Sequence, residues 1–522
     1  MNRIYSPVSL ALVLGLLAWG CTSKNQQKQP GEEGAIKSSP AKESSSQSET
    51  RKTEKDGVCF PGDVETQWLD KETAAQVARE VREGIPLKMG ITQGQLCASG
   101  VQQALLQRTG PIYLTLSSEA FTETTIFQCL KPLKNRLCGL QGSFTDATGA
   151  QFSKLLALRS FRPSSSLTNE GLAHVRDLTN LKALSLWATQ VTDGGLSHLS
   201  GLTNLEDLDL GHTGVSDGGL SHLSGLTHLK KLELSSTEVS DGGLSHVSGL
   251  TNLKELGLWD TQVTDGGLSH LSGLTGLEKL DLGQAQVGDL GLSHLSGLTG
   301  LKELRLTSTQ VSDAGLAHLK DLTNLKELIL WKTQVSDSGL AHLTDLMNLK
   351  VLWLSNTQVT DAGLTHLGGL TNLEELWLTS TQVSDGGLAH LSELTNLKKL
   401  ILWGTQVTDE GLSHVGVLTN LEELVLSGTR VTGAGLADLS ELTNLKKLNL
   451  YNTQVTDAGL AHLSGLKTLH MLELTNTPVT DASLVHLRGL TNLKSVYLTR
   501  TQVTDRGVAK LQAQFPDCLI GH

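Results

Sequence analysis

From residue 181 to the C-terminus the chain repeats itself with a 24-residue period. Leucine stands at 181, 205, 229 and 253 and onward in equal steps to 493, which gives fourteen copies. One copy, residues 253–276, reads LKELGLWDTQVTDGGLSHLSGLTG. A fixed period of this length dictates a solenoid, in which each unit touches only its neighbours. One unit is too small to bury its own apolar face, so it is stable only when stacked, and the two ends need caps. The period therefore outweighs the 522-residue length, which would otherwise suggest about three domains. Aromatic residues make up only 4% of the chain, so leucine and valine must fill the interior.

The copy starting at Leu181 shows how one coil is built. Leu184 and Leu186 alternate with polar residues, which predicts a short strand with both leucines facing inward. Thr189, Val191 and Asp193 follow. Thr192-Asp193 ahead of Gly194-Gly195-Leu196 reads as a helix start with a capping oxygen. Leu196 and Leu199 are three apart and share one face of an α or 3₁₀ turn. Each unit is thus strand, turn, short helix and return. The recurring Asp193, Asp217, Asp241 and Asp265 are expected to cap these helices rather than bind calcium. One copy departs from the pattern, with Gly433 at the acidic position.

This L-x-x-L-x-L frame resembles the leucine-rich repeat, and its T-D-x-G-L-x-H-L half resembles the bacterial 24-residue variety. The resemblance implies an α/β solenoid, a curved horseshoe with a parallel β-sheet on the concave face and short helices or 3₁₀ turns on the convex face. It covers about 360 residues. Thr189, Thr213, Thr237 and Thr261 stand where the family carries an asparagine that bonds from coil to coil, so a threonine ladder is expected in its place.

The chain before the repeats has a different character. Arg3 and the apolar run 8–18 form an export signal too short to span a bilayer. The run ends in Ala18-Trp19-Gly20-Cys21, which resembles a bacterial lipobox and implies lipidation at Cys21. The lipobox of that family has leucine and then a small residue at the positions held here by Ala18 and Trp19. Residues 22–56 are rich in Ser, Gln, Lys and Glu and cannot bury a core, so they read as a tether. Residues 57–150 are expected to cap the solenoid, with an amphipathic helix over 64–83 and a strand over 112–116. A degenerate repeat covers 155–175. The solenoid then runs over 151–511, and 512–522 close it. An exported chain can hold disulfides. Cys59, Cys97, Cys129 and Cys138 allow three pairings, of which Cys129 with Cys138 and Cys59 with Cys97 is the preferred one. Cys518 reads as a buried thiol.

Candidate functional residues lie where strand alternation turns side chains outward. Trp187, Trp259, Trp331, Trp353, Trp377 and Trp403 occupy such positions, joined by Tyr451 and Tyr497, with Ile329 and Ile401 beside them. Clustered indoles on a polar surface mark an interaction site. Trp187, Trp259, Trp331 and Trp403 recur at intervals of 72, three repeats, which duplication alone would produce; Trp353 and Trp377 break that spacing. Lys-Glu, Glu-Glu and Lys-Lys pairs in the strands, such as Glu374-Glu375 and Lys398-Lys399, predict cross-strand charge pairing on a solvated face. Thirteen histidines recur at one position, from His174 to His486, without companion ligands at metal spacing, so they read as structural and no metal or cofactor is expected.

Net charge is −11 and no basic stripe exists, which argues against nucleic acid. No nucleophile elbow, P-loop or dinucleotide fingerprint appears, so the chain is not expected to be an enzyme. These features together predict an exported, lipid-anchored protein of the bacterial envelope that binds a protein partner on its concave face. The alternative partner is a glycan or peptidoglycan, because indoles stack on sugar rings.

Overall fold

The computed structural model describes residues 153–522 continuously and, before them, residues 87–91, 105, 112–116, 130–142, 144 and 146. All lie in one compact unit, Gly57–His522. The expected signal, tether and 64–83 helix fall outside the described residues, as do Cys21, Cys59, Cys97 and Cys129. Cys138, half-buried in the strand Leu137–Gln141, is a free thiol.

Nineteen short strands form one sheet among the described residues. Each is parallel to the strand before it, so chain order and sheet order coincide. The coil starting at Leu181 is representative. Its strand is Ala183–Ser185, followed by an α turn at Asp193–Leu196 and a 3₁₀ turn at Ser197–Leu199. Leu181, Leu184, Leu186, Val191, Leu196, Leu199 and Leu202 are all buried, as the period requires. Backbone amides join each coil to the next: Leu186 N–H donates to Asp209 O at 2.7 Å, and Glu206 N–H to Lys182 O at 2.8 Å. One residue in the turn beyond the strand is left-handed in every regular coil, for example Ala188 at φ 55° and His212 at φ 56°. Such a conformation costs about 1–2 kcal/mol in an L-residue. It is held by another bond between coils, from Ala188 N–H to Gly211 O at 2.9 Å.

The sheet extends further toward the N-terminus than the regular period indicates. Leu87–Ile91, Ile112–Leu116 and Leu137–Gln141 are its first three strands. The inward row runs Leu114, Leu140, Phe161, Leu184, paired in register and all buried. The steps along that row are uneven, and for that reason a strict 24-residue search misses these coils. At the other end, a ten-residue helix, Asp505–Gln514, and the strand Leu519–Gly521 finish the stack, with Cys518 buried beneath them.

Two expectations about polar columns need correction. The threonines make no ladder between coils. Thr189 Oγ1 donates to Leu186 O at 2.6 Å within its own coil, and Thr213, Thr237 and Thr261 do the same to Leu210, Leu234 and Leu258. In this column the hydroxyl turns to a carbonyl of its own turn, although a threonine placed elsewhere can reach the adjacent coil, as Thr468 Oγ1 does to Thr443 O at 2.6 Å. Nor do the aspartates cap their own helices. Asp193 is the first helical residue and Thr192 the cap. The Asp193 carboxylate instead reaches the next coil, where Oδ1 accepts from the Ser216 backbone N–H at 2.7 Å and Oδ2 from the Ser216 hydroxyl. Asp337 holds Thr360 in the same way, and Asp361 holds Ser384. This clamp fails at Gly433, and no carboxylate receives Thr456 among the described residues. A second ladder, unanticipated, is made by asparagines of the L-T-N-L segment: Asn324 Nδ2 donates to Thr299 O and Asn348 Nδ2 to Thr323 O, both at 2.9 Å.

The clamp also explains the glycine of the D-x-G-L motif. A Cβ on Gly363 would sit 2.5 Å from Asp337 Oδ1 of the preceding coil. Alanine ordinarily favours a helix over glycine by about 1 kcal/mol. Here the expected sign is reversed: Gly363→Ala should lower stability by about 1–3 kcal/mol in urea unfolding. Gly201→Ala, with nothing within 4 Å of the added carbon, should stay within about 0.5 kcal/mol.

Candidate functional site

Each strand sends its middle residue into the core and presents its first and third to solvent, giving two columns across the sheet. A third column lies two residues beyond, at the strand's end.

The first column, with the residue before it, is charged and largely self-neutralising. Glu206 bridges Lys182 and Lys230, the latter at 2.6 Å; Glu278 meets Lys302 and Lys254; Glu374 bridges Lys350 at 2.5 Å and Lys398 at 2.7 Å. Hydrogen bonds from Lys182 and Lys230 pull the Glu206 carboxyl down to about 2, and those from Lys350 and Lys398 lower that of Glu374. This is the cross-strand pairing expected from the sequence. Each such exposed pair contributes little.

The third residues of the strands form two blocks. Asp209, Glu233 and Asp281 come first, with Gly257 between the last two. Arg305 closes the block: its guanidinium binds Glu327 through Nε at 3.0 Å and a terminal nitrogen at 2.8 Å and lies 3.9 Å from Asp281. The apolar block follows directly as Ile329, Trp353, Trp377, Ile401 and Val425, each paired in register with the next. The Trp353 and Trp377 rings pack with centroids 4.4 Å apart, and Lys399 Nζ covers Trp377 at 4.6 Å from its centroid. Both indole nitrogens are buried without a hydrogen-bond partner. An unmet donor costs about 1–3 kcal/mol. Because nitrogen is the only polar atom of an indole, the surface these two side chains show to solvent is entirely carbon.

The end column holds the remaining tryptophans. Trp187 and Trp259 lean over Gly211 and Gly283 of the next coil, where a Cβ would run into each indole. Trp331 and Trp403 are likewise followed one coil later by small residues, Ser355 and Ser427, both buried. The 72-residue spacing therefore repeats a ring together with its seat. Trp331 follows Ile329 at one end of the apolar block and Trp403 follows Ile401, one coil short of the other end. Tyr451 and Tyr497 lie half-buried beyond it, the latter over Gly521. Trp187, 38% exposed and edge-on to His212, is remote from the block. Ile329 and Ile401 sit in the block's register but are buried, at 4% and 5% exposure, so they support the indoles from either side. The structure thus gathers Trp331, Trp353, Trp377 and Trp403 and leaves Trp187, Trp259, Tyr451 and Tyr497 apart. Val425 belongs with them, and its place one repeat after Ile401 would have revealed it. The carboxylates beside the block carried no signal, because acidic residues are frequent throughout the strands. Among the described residues no group of three or more His, Cys, Asp or Glu side chains is placed to hold a metal ion.

This arrangement defines a class of protein: a parallel-sheet solenoid whose outward strand residues vary from coil to coil. Residues 215–452 match a model of the leucine-rich repeat region, and residues 201–224 match one of a single leucine-rich repeat. An internalin from Listeria monocytogenes has a similar structure, with a TM-score of 0.52 at 28% identity, covering 63% of this chain and 88% of that one. A leucine-rich repeat protein from Leptospira interrogans gives a TM-score of 0.45 at 19% identity, over 85% of this chain and 98% of that one. The Arabidopsis receptor kinase HAESA ectodomain, solved with a peptide hormone, gives 0.46 at 16% identity over 80% and 73%. No curated protein matches the sequence. Residues 201–452 are a leucine-rich repeat region, and the fold is that of a leucine-rich-repeat solenoid.

Asp281 provides a measurable test of the site's electrostatics. Burial, reinforced by the Glu233 and Glu327 charges, pushes its carboxyl up to about 6, against the Gly283 amide and Arg305. A carboxyl raised on folding stabilises only while protonated, and that stabilisation is lost as pH rises through about 6. Asp281→Asn should therefore melt higher than the parent at pH 7.5, by at most about 3 kcal/mol, and the gain should vanish near pH 4. A gain independent of pH would exclude this origin.

Proposed function

We propose that the protein binds another protein, without catalysis, through the solvent-facing side of its sheet, centred on Trp353 and Trp377. The supporting observation is the uninterrupted apolar block from Ile329 to Val425, with Trp331 and Trp403 beside it, in a sheet whose other outward positions are mostly charged, hydroxylic or glycine. Strand spacing of about 4.8 Å makes that block about 19 Å long, a suitable seat for a few apolar side chains of a partner. Clustered tryptophans are the usual anchors of such contacts.

A glycan is the weaker reading. Sugars stack on open ring faces and bond to indole N–H groups. Here one face of Trp377 meets Trp353, Lys399 stands over the ring, and both N–H groups are buried.

The second part of the proposal concerns placement. The export signal and Cys21 support a lipid-anchored protein of a bacterial envelope, held away from the bilayer by residues 22–56. About 35 flexible residues reach roughly 30–35 Å. Among the described residues no helix is long and apolar enough to cross a membrane.

Two experiments test this. Trp353→Ala with Trp377→Ala in the full-length protein should abolish capture of a protease-sensitive ligand from envelope extract, with the far-ultraviolet spectrum unchanged. Retained capture would move the site elsewhere, and sensitivity to glycosidase instead of protease would favour the glycan. Separately, Cys21→Ser should eliminate metabolic labelling by radioactive palmitate; labelling that survives would refute the anchor.

A further inference from the structure

The apolar block has a charged neighbour of one sign. On the same column, separated from it by Arg305, lie Asp209, Glu233 and Asp281. Most other carboxylates of the strands are neutralised by a lysine or arginine of an adjacent coil, as Glu206, Glu278, Glu374 and Glu423 are. These three differ. Asp209 accepts from the Ser185 hydroxyl at 2.8 Å and the Gly211 N–H at 3.1 Å, and Glu233 from Ser235 N–H at 3.1 Å. Neither has a cation in ion-pair contact among the described residues. Asp281 accepts from Gly283 N–H at 3.0 Å, and its single cation, Arg305, is 3.9 Å away and shared with Glu327 and Glu303. Neutral donors fix Asp209 and Glu233 in position but leave their charge uncompensated, and Asp281 is compensated only through the shared Arg305. Holding like charges in a row is unfavourable for the free protein, and a cationic ligand would relieve it.

We infer that the partner presents an extended segment with aromatic or branched apolar residues at one end and lysine or arginine at the other, laid across the strands from the Trp353–Trp377 block to Asp209. This rests on the docking reading above and adds the chemistry and direction of the ligand. From Asp209 to Val425 the column spans nine strand spacings, about 43 Å at about 4.8 Å each. At about 3.3 Å per extended residue that is a segment of about 13 residues. On the same spacing the apolar end takes about 19 Å of this length and the basic end about 14 Å. Arg305, held by Asp281, Glu303 and Glu327, separates the two ends. Electrostatic complementarity of this kind chiefly sets partner choice and association rate.

The probe is a random library of 15-residue linear peptides displayed on phage and selected against the immobilised full-length protein. Enriched peptides should carry two or more apolar anchors and, toward one end, two or more Lys or Arg. A synthetic enriched peptide should bind Asp209→Asn/Glu233→Gln/Asp281→Asn at least tenfold more weakly by fluorescence anisotropy. The variant should also flatten the dependence on NaCl between 50 and 500 mM. The same peptide with its basic residues changed to Gln should not distinguish the variant from the parent. These substitutions are isosteric, so a folding defect does not obscure the comparison. No enrichment, a neutral or acidic consensus, or unchanged affinity in the triple variant would overturn the inference. If the triple variant binds normally while Trp353→Ala/Trp377→Ala does not, the docking face stands and the cationic partner falls. If the tryptophan variant binds as the parent does, the docking face itself is wrong.

Discussion

Every feature of this protein depends on hydrogen bonds that run from one coil to the next. A 24-residue unit has too little interior to be stable alone, and its edges carry unpaired amides and carbonyls. Stacking answers both needs at once. Strand amides bond forward and backward, seven apolar side chains per coil meet the same seven above and below, and an aspartate at each helix start grips the turn of its successor. The clamp also dictates composition elsewhere. The glycine two residues after most of these aspartates is favoured because the previous aspartate occupies the space a Cβ would take; where Ser483 stands there instead, the turn is 3₁₀ throughout, Asp481–Gly489. Gly433 is where the system relaxes: the clamp is absent, and Gly433 and Gly459 approach so closely that neither tolerates a side chain.

A backbone fixed this way leaves little freedom for recognition except in the outward columns. The first column neutralises itself in Lys–Glu ladders and suits solubility. The third-residue column is different in kind, because its carboxylates and its apolar residues are sorted into separate consecutive coils instead of alternating. Trp353 and Trp377 make the apolar end coherent by stacking on each other, at the cost of two buried N–H groups without acceptors. Stability and recognition are thus divided between the faces of the same three-residue strand: the middle residue holds the coil, and its neighbours are free to vary.

Much of this was legible in the residues. The period located the coils, and alternation placed Leu184 and Leu186 inside and residues 183, 185 and 187 outside. The Thr-Asp-x-Gly-Leu segment marked the helix start. The charge pairs announced a solvated, cross-linked column. Before residue 150 the strand 112–116 was legible, but irregular spacing hid that it and its neighbours are coils of the same sheet, with Leu114 and Leu140 on the inward row. Of the tryptophans, strand position was readable but company was not. Trp187 and Trp353 both read as outward-facing in the string, yet one leans on a glycine and a histidine while the other stacks on a second indole.

The sequence by itself determined the solenoid, its register, its core and the direction in which each side chain leaves the backbone, because all of these follow from local geometry repeated at a constant interval. Only the tertiary structure decided how far each side chain reaches across the gap to the adjacent coil. The threonine column that follows the strands turns to its own carbonyls, while the aspartates and asparagines span the distance. That same distance decided which indoles touch and which carboxylates stay without a cation. Contacts between coils join residues one repeat apart in sequence and one strand apart in space, and their chemistry depends on side-chain length measured against strand spacing, a comparison that no pattern of residue types contains.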